Sequence, residues 1–138
     1  MYFVDDLEEF EIYGLSAKTS NLGETKAPKI APLWDKFLQN YDLESEIYCT
    51  YSDYESDVNG EYIFCIGTKS QSSLDLNISK VSSGKYAVFT SKFENGSDTL
   101  NLWKQIWSFF ESSNLKRAYK TDFERYFNGN LEIYIGIK

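Results

Sequence analysis

Residues 121–138 read TDFERYFNGNLEIYIGIK, two β-rich segments on either side of Asn128-Gly129-Asn130. Asn-Gly tolerates the positive φ angles that a tight hairpin turn demands. The flanking runs RAYKTDFERY (117–126) and LEIYIGI (131–137) therefore read as an antiparallel pair. By strand alternation, Tyr119, Thr121 and Phe123 take one side, and Lys120, Asp122, Glu124 and Tyr126 the other. Leu131, Ile133, Ile135 and Ile137 share a face and read as core, while Glu132 and Tyr134 point oppositely. This alternation predicts that Glu124, Tyr126 and Tyr134 come together on the face away from the main core.

The same pattern stands 69 residues earlier. Leu33 falls on Leu102, Trp34 on Trp103, Phe37 on Ile106, Leu38 on Trp107 and Tyr41 on Phe110. Asp53 falls on Asp122, Tyr54 on Phe123, Glu55 on Glu124, Gly60 on Gly129, Ile66 on Ile135 and Gly67 on Gly136. Seven of these pairs are identical and no gap is needed, where average residue usage gives roughly two by chance. The first strands align at a different offset, with Tyr13 near Tyr86. The chain is read as an internal duplication, with halves of about 1–69 and 70–138 in a single domain spanning 1–138.

Each half reads strand, helix, strand, strand. The first strand lies near FEIYGLSAKTSN and the first helix near PKIAPLWDKFLQNY, where Ile30, Leu33, Trp34, Phe37, Leu38 and Tyr41 form one face. Pro28 and Pro32 fit if both lie before or within the first turn. EIYCTYSDYE and GEYIFCIGT follow as strands, with the Asn-Gly of SDVNG between them. The Ser-rich run SQSSLDLNISKVSSG reads as a connection containing a short strand or turn, and KYAVFTSKF as the next strand. The second helix, DTLNLWKQIWSFFES, is expected to start at a Ser97/Asp98 cap. Its apolar stripe is wider than a one-sided surface helix needs, so part of it is expected to face a cavity. The fold class that follows is α+β. Two β-α-β-β repeats form one antiparallel sheet with a pseudo-dyad, two helices on one face, and a ligand groove between the halves.

Composition narrows the chemistry. The 138 residues include eleven Tyr, ten Phe and three Trp, and aromatic surface is what cores and ligand pockets share. Net charge is −7 with no His. That excludes a His-based catalytic triad and argues against direct nucleic-acid binding, which needs clustered Lys and Arg. Two cysteines without His or a third Cys do not make a zinc site, so no metal and no cofactor are expected. Cys49 and Cys65 read as buried thiols of a reducing, cytoplasmic compartment. The start MYFVDDLEEFEIYG has acids where a signal peptide has bases, and no apolar run reaches membrane-spanning length. Fourteen of the acids and only five bases lie in residues 1–69, an imbalance whose plain reading is solubility.

If Trp103, Trp107, Phe89 and Tyr51 wall the face that carries Glu124, its carboxylate is desolvated. Burial of that kind costs several kcal/mol unless compensated. A cationic guest would compensate it, and each ring adds cation–π attraction of about 0.5–2 kcal/mol. The plain alternatives are a solvated acid on a polar strand face and an aromatic stripe that is simply core.

The pieces IYGLSAKTSN, LWDKF, IYCTYSDYESDVNGEYIFCIG, KYAVFTSKF, LWKQIW, TDFERY and LEIYIGI together resemble the gyrase-inhibitor-like effector-binding domain. That family provides the small-molecule module of many AraC-type and MerR-type regulators and includes free-standing, integron-associated proteins. The resemblance covers nearly the whole chain. It implies two β-α-β-β units, a groove across the dyad, and hydrophobic cationic or amphipathic ligands. The glutamate of the family's DFExY-like motif sits in the pocket, and Glu124 is the matching residue here. More loosely, the resemblance implies a wall drawn from the second helix and the final strands.

Three functions follow as alternatives. The first is a stand-alone binding protein for hydrophobic cations, without its own DNA-binding domain, linked to transcription regulation or drug sensing as a homodimer or through a regulator partner. The second is a hydrolase of strained electrophilic toxins with Glu124 as base, although a non-enzymatic role is the stronger expectation. The third is a protein-binding inhibitor, such as a gyrase modulator, acting through acidic residues 5–11 and 53–61. Glu55 belongs with that third set, beside the SDVNG turn, rather than with the pocket.

Overall fold

The protein is described by a computed structural model covering residues 2–40, 46–57, 59–70 and 76–138. Tyr41 of the first helical stripe, Val58 of the SDVNG turn and residues 71–75 of the Ser-rich connection lie outside the described residues. In chain order the elements are β1 (Tyr2–Leu7), β2 (Phe10–Ser20), α1 (Asn21–Lys26), α2 (Ile30–Leu38), β3 (Ile47–Ser52), β4 (Glu61–Thr68), β5 (Asn77–Val81), β6 (Gly84–Lys92), α3 (Gly96–Ser112), β7 (Arg117–Phe127) and β8 (Asn130–Ile137).

Among the described residues the eight strands form one antiparallel sheet, ordered β1-β6-β8-β7-β3-β4-β2-β5. The duplication is visible in its geometry. β4 and β8 have the same length and are offset by 69 residues throughout. At the centre β3 pairs with β7, and Ser52 faces Thr121. Ser52 and Thr121 are themselves repeat mates, so the pseudo-dyad passes through that pair. β1 and β5 were not both foreseen: the acidic start forms an edge strand. Each leading strand crosses over, β1 to pair with β6 and β5 to pair with β2.

The sheet is buried on both faces, which explains the near-continuous apolar runs of β4 and β8. One face carries Ile47, Phe64, Ile66, Ala87, Ile133 and Ile135 against α2 and α3. Leu102, Trp103 and Ile106 are the buried side chains of α3, each contributing roughly 1.5–3 kcal/mol by leaving water. The other face holds a smaller cluster with Ile12, Tyr48, Tyr86, Val88, Phe123 and Tyr134.

The helix ends follow local chemistry. Pro32 lies in the first turn of α2 as required. α2 has no capping side chain of its own; instead Glu24 accepts from the Lys29 and Ile30 amides at 3.0 Å. α3 is capped by Asn95 rather than by Ser97 or Asp98. Asn95 accepts from the Ser97 amide at 2.9 Å, and Asp98 reaches back to the Asn95 amide at 3.2 Å. Asp98 is thus the third helical residue of a capping box. A further short helix, α1, precedes α2.

The turn between β7 and β8 is the two-residue hairpin expected, with positive φ at Asn128 (49°) and Gly129 (71°). No helix among the described residues is long and apolar enough to cross a membrane.

Candidate functional site

A two-residue turn at 128–129 fixes the hairpin register. Glu124 faces Ile133, Tyr126 faces Leu131, and Phe123 faces Tyr134. Residues facing each other across an antiparallel pair share a side of the sheet. Glu124 and Tyr126 therefore lie on the helix-covered core face, not away from it. Tyr134 lies on the opposite face, stacked on Phe123 at 4.3 Å between ring centroids. The expected grouping of Tyr134 with Glu124 is corrected by this register, which the turn itself encodes. Alternation also breaks earlier in β7: pairing with β8 shifts between Arg117 and Asp122, and Tyr119 has φ 54°.

Asp122, Glu124 and Tyr126 thus descend one face of β7, beneath the gap between α2 and α3. Both carboxylates are buried, Asp122 at 0 % and Glu124 at 2 % exposure. Their environments differ. Asp122 has its own cation: Arg117 Nη2 donates to Oδ2 at 2.7 Å, Tyr54 donates to the same oxygen, and the Gly136 amide donates to Oδ1 at 2.8 Å.

Glu124 has none. Trp103 Nε1 donates to Oε2 at 2.6 Å and Tyr51 to Oε2 at 2.7 Å, while Tyr126 donates to Oε1 at 2.6 Å. Burial raises the Glu124 pKa, and the bonds from Tyr126, Trp103, Tyr51 and the Cys49 thiol oppose the rise. Burial, and next the Glu124 charge, push the Tyr51, Tyr126 and Cys49 pKa values well up, so all three stay neutral donors. Cys49 and Cys65 are free thiols. The Glu124 carboxylate is hydrogen-bonded but not neutralised.

Above it the two helices leave a groove in two joined compartments. The larger, about 580 Å³, is lined by Ile30 and Ala31 on one side and by Leu100, Trp103 and Trp107 of α3 on the other. Its floor is Tyr51, Tyr54, Tyr62 and Arg117. The smaller, about 470 Å³, includes Trp34, Phe93, Glu124 and Tyr126. Ile30, Ala31 and Tyr51 belong to both. Trp103 and Trp107 lie 5.9 Å apart, and Tyr51 meets Trp103 edge-on at 5.5 Å. Glu124 borders the smaller compartment, with Oε2 accepting from both Trp103 and Tyr51.

Of the residues singled out from sequence, Glu124, Tyr126, Trp103, Trp107 and Tyr51 converge on this groove. Phe89 does not. It is buried against Tyr2, Phe109 and Phe110, beneath the C-terminal turn of α3. Glu55, the repeat mate of Glu124, is exposed, because the strand that continues through Glu124 in the second half ends at Ser52 in the first. Tyr54, Tyr62 and Arg117 were not foreseen in the site. The DYE/DFE match could not signal Tyr54, whose repeat mate Phe123 lies on the opposite face, and the bulge after Arg117 leaves no pattern in the sequence.

Residues 4–137 match the family model of the integron-associated effector binding proteins, Cass2. The "Putative transcriptional regulator protein YobU" of Bacillus subtilis (strain 168) is 34 % identical, over 96 % of this chain and 94 % of its own. The integron cassette protein VCH_CASS2 from the mobile metagenome of Vibrio cholerae is 31 % identical. It superposes with a TM-score of 0.90 over 99 % of this chain and 95 % of that one. SAV2435, solved bound to tetraphenylphosphonium, shares the fold at a TM-score of 0.76 and 16 % identity, over 100 % of this chain and 94 % of its own.

Proposed function

Because the chain belongs to the integron-associated effector-binding proteins, we propose that it is a binding protein for hydrophobic organic cations. It acts in the cytoplasm as the ligand-sensing element of a regulatory response. The observation that carries this reading is the contrast between two buried acids on one strand face. Asp122 is neutralised by Arg117; among the described residues Glu124 is held by neutral donors alone. A guest cation supplies what Glu124 lacks, and the rings of Trp103, Trp107, Tyr51 and Tyr62 offer it π faces and apolar contact. The bound tetraphenylphosphonium of SAV2435 is a ligand of this chemistry on the same fold. The name of the Bacillus subtilis relative supports the link to transcriptional regulation.

The donors around Glu124 also favour binding over hydrolysis. A general base needs a free lone pair beside an ordered water. Here Trp103, Tyr51 and Tyr126 already direct hydrogens at the two oxygens. The test is a thermal-shift titration with tetraphenylphosphonium on the wild-type protein and on Glu124→Gln. The wild-type melting temperature should climb with the logarithm of ligand concentration, and the variant should need far more ligand for the same rise. Equal responses would reject the electrostatic basis.

A further inference from the structure

Arg117 stands on the floor of the larger compartment with its side chain only 8 % exposed. A guanidinium carries five N–H donors. Nη2 serves Asp122 at 2.7 Å, and the cation lies over the Tyr119 ring at 4.5 Å. Nε is sealed from solvent and has no acceptor among the described residues. Among the polar groups that line the compartment, Tyr51 and Trp103 donate to Glu124, Tyr54 to Asp122 and Tyr62 to Asn21 Oδ1 at 3.1 Å, while Glu24 accepts from the Thr19 hydroxyl and from the Lys29 and Ile30 amides. A buried charged donor left unmatched is unfavourable, and few native proteins retain one without a use.

We propose that Arg117 is a second polar anchor of the groove, and that the preferred ligand carries a neutral hydrogen-bond acceptor, such as a carbonyl oxygen, which Arg117 Nε–H engages while the ligand's cation lies over Glu124. This rests on the cation-binding reading given above. The spacing follows from the strand. Arg117 is tethered to Asp122, and Asp122 is two residues from Glu124 on the same face, which places the anchors about 7 Å or more apart. Because Nε is sealed, this engagement requires the guanidinium to turn while it keeps its bond to Asp122, bringing Nε to the compartment that the residue already lines. A neutral acceptor suits the position because Asp122 cancels the Arg117 charge, so an anionic group gains little there. Cation and acceptor on one rigid aromatic frame is a narrower class than hydrophobic cations in general.

The test uses the wild-type protein and matched probes. Tetraphenylphosphonium is prepared with an acetyl group on one ring at the ortho, meta or para position. Each acetyl probe is paired with its isopropenyl counterpart, which has the same shape and no acceptor oxygen. Affinities are measured by calorimetry, and arginine Nε–H resonances by NMR. The chain has two arginines, and Arg125 Nε is already bonded to Glu46, so Arg125→Lys identifies the Arg117 signal. At least one acetyl isomer should bind about tenfold more tightly than its partner, as a hydrogen bond from a charged donor warrants. The same isomer should move the Arg117 Nε–H proton downfield. Equal affinities for all three pairs, with an unmoved Nε–H and binding still dependent on Glu124, would overturn the Arg117 anchor and leave the cation site standing. Failure of all six probes to bind, or binding indifferent to Glu124→Gln, would overturn the cation site and the anchor with it.

Discussion

Replacing Glu124 by glutamine removes one negative charge from beneath the groove and nearly preserves its shape. The glutamine oxygen still accepts from Tyr51 and Trp103. Its amide faces Tyr126, whose hydroxyl turns its proton to Thr99 Oγ1, 3.1 Å away, and accepts instead. The fold should therefore persist, and the loss should appear in binding. A cation about 5 Å from the carboxylate, at the effective dielectric of 20 that suits protein sites, gains 332/(20 × 5), or about 3 kcal/mol. Ligand desolvation returns part of this, leaving about 2–3 kcal/mol, a 30- to 150-fold change in Kd. Calorimetry with methyltriphenylphosphonium and its neutral isostere 1,1,1-triphenylethane separates charge from shape. The variant should weaken the phosphonium 30- to 150-fold and the hydrocarbon less than about threefold. Equal losses for both would show that Glu124 acts only by shaping the groove.

Other consequences follow from the same residues. Arg117→Met leaves Asp122 buried without its cation and should cost about 3–5 kcal/mol in urea unfolding. A Cβ on Gly67 would stand 2.2 Å from the Tyr13 carbonyl oxygen across the β2–β4 pair, so Gly67→Ala should destabilise by roughly 2–4 kcal/mol in the same assay. Asn95→Ala removes the α3 cap and should lower stability by about 1 kcal/mol. Because burial raises the folded-state pKa of Glu124 above 4.5, the folded state holds that proton more tightly than the unfolded one. The group's contribution to stability is then greatest below pH 4.5, falls as pH rises through the raised folded value, and is level above it. Glu124→Gln should lack that fall, so its stability relative to wild type should improve with pH across the window, as read by unfolding midpoints.

The fold was legible because its rules are local and repeated. Two helical stripes, the Asn128-Gly129 signal and a gapless 69-residue match were enough to place the paired repeats and the dyad, whereas Asn59-Gly60 closes an eight-residue connection with positive φ at neither residue. The crossing of β1 and β5 was not legible, since sequence spacing does not say which half a leading strand joins. At the site, Glu124, Tyr51, Tyr126 and the two tryptophans of α3 were readable as types that suit a cation. Tyr134 was misplaced by treating each strand's alternation separately, although the two-residue turn fixes the mutual register and puts Tyr134 beside Phe123. Phe89 was misplaced because an aromatic on a core face serves a pocket only where the covering helix stands away from it. Arg117 was missed because the irregularity after it, with Tyr119 at positive φ, carries no glycine to announce it.

Cation binding and Glu124 ionisation must be coupled equally in both directions. Carbon-13 NMR of the glutamate side-chain carboxyls, titrated with and without saturating tetraphenylphosphonium, measures that coupling at the carboxylate itself. About 2–3 kcal/mol of attraction corresponds to about 1.5–2 pKa units. The Glu124 signal should titrate above the ordinary glutamate range in the free protein and move down by that amount when the cation is bound. A Glu124 titration unchanged by a bound phosphonium would contradict the account at its centre.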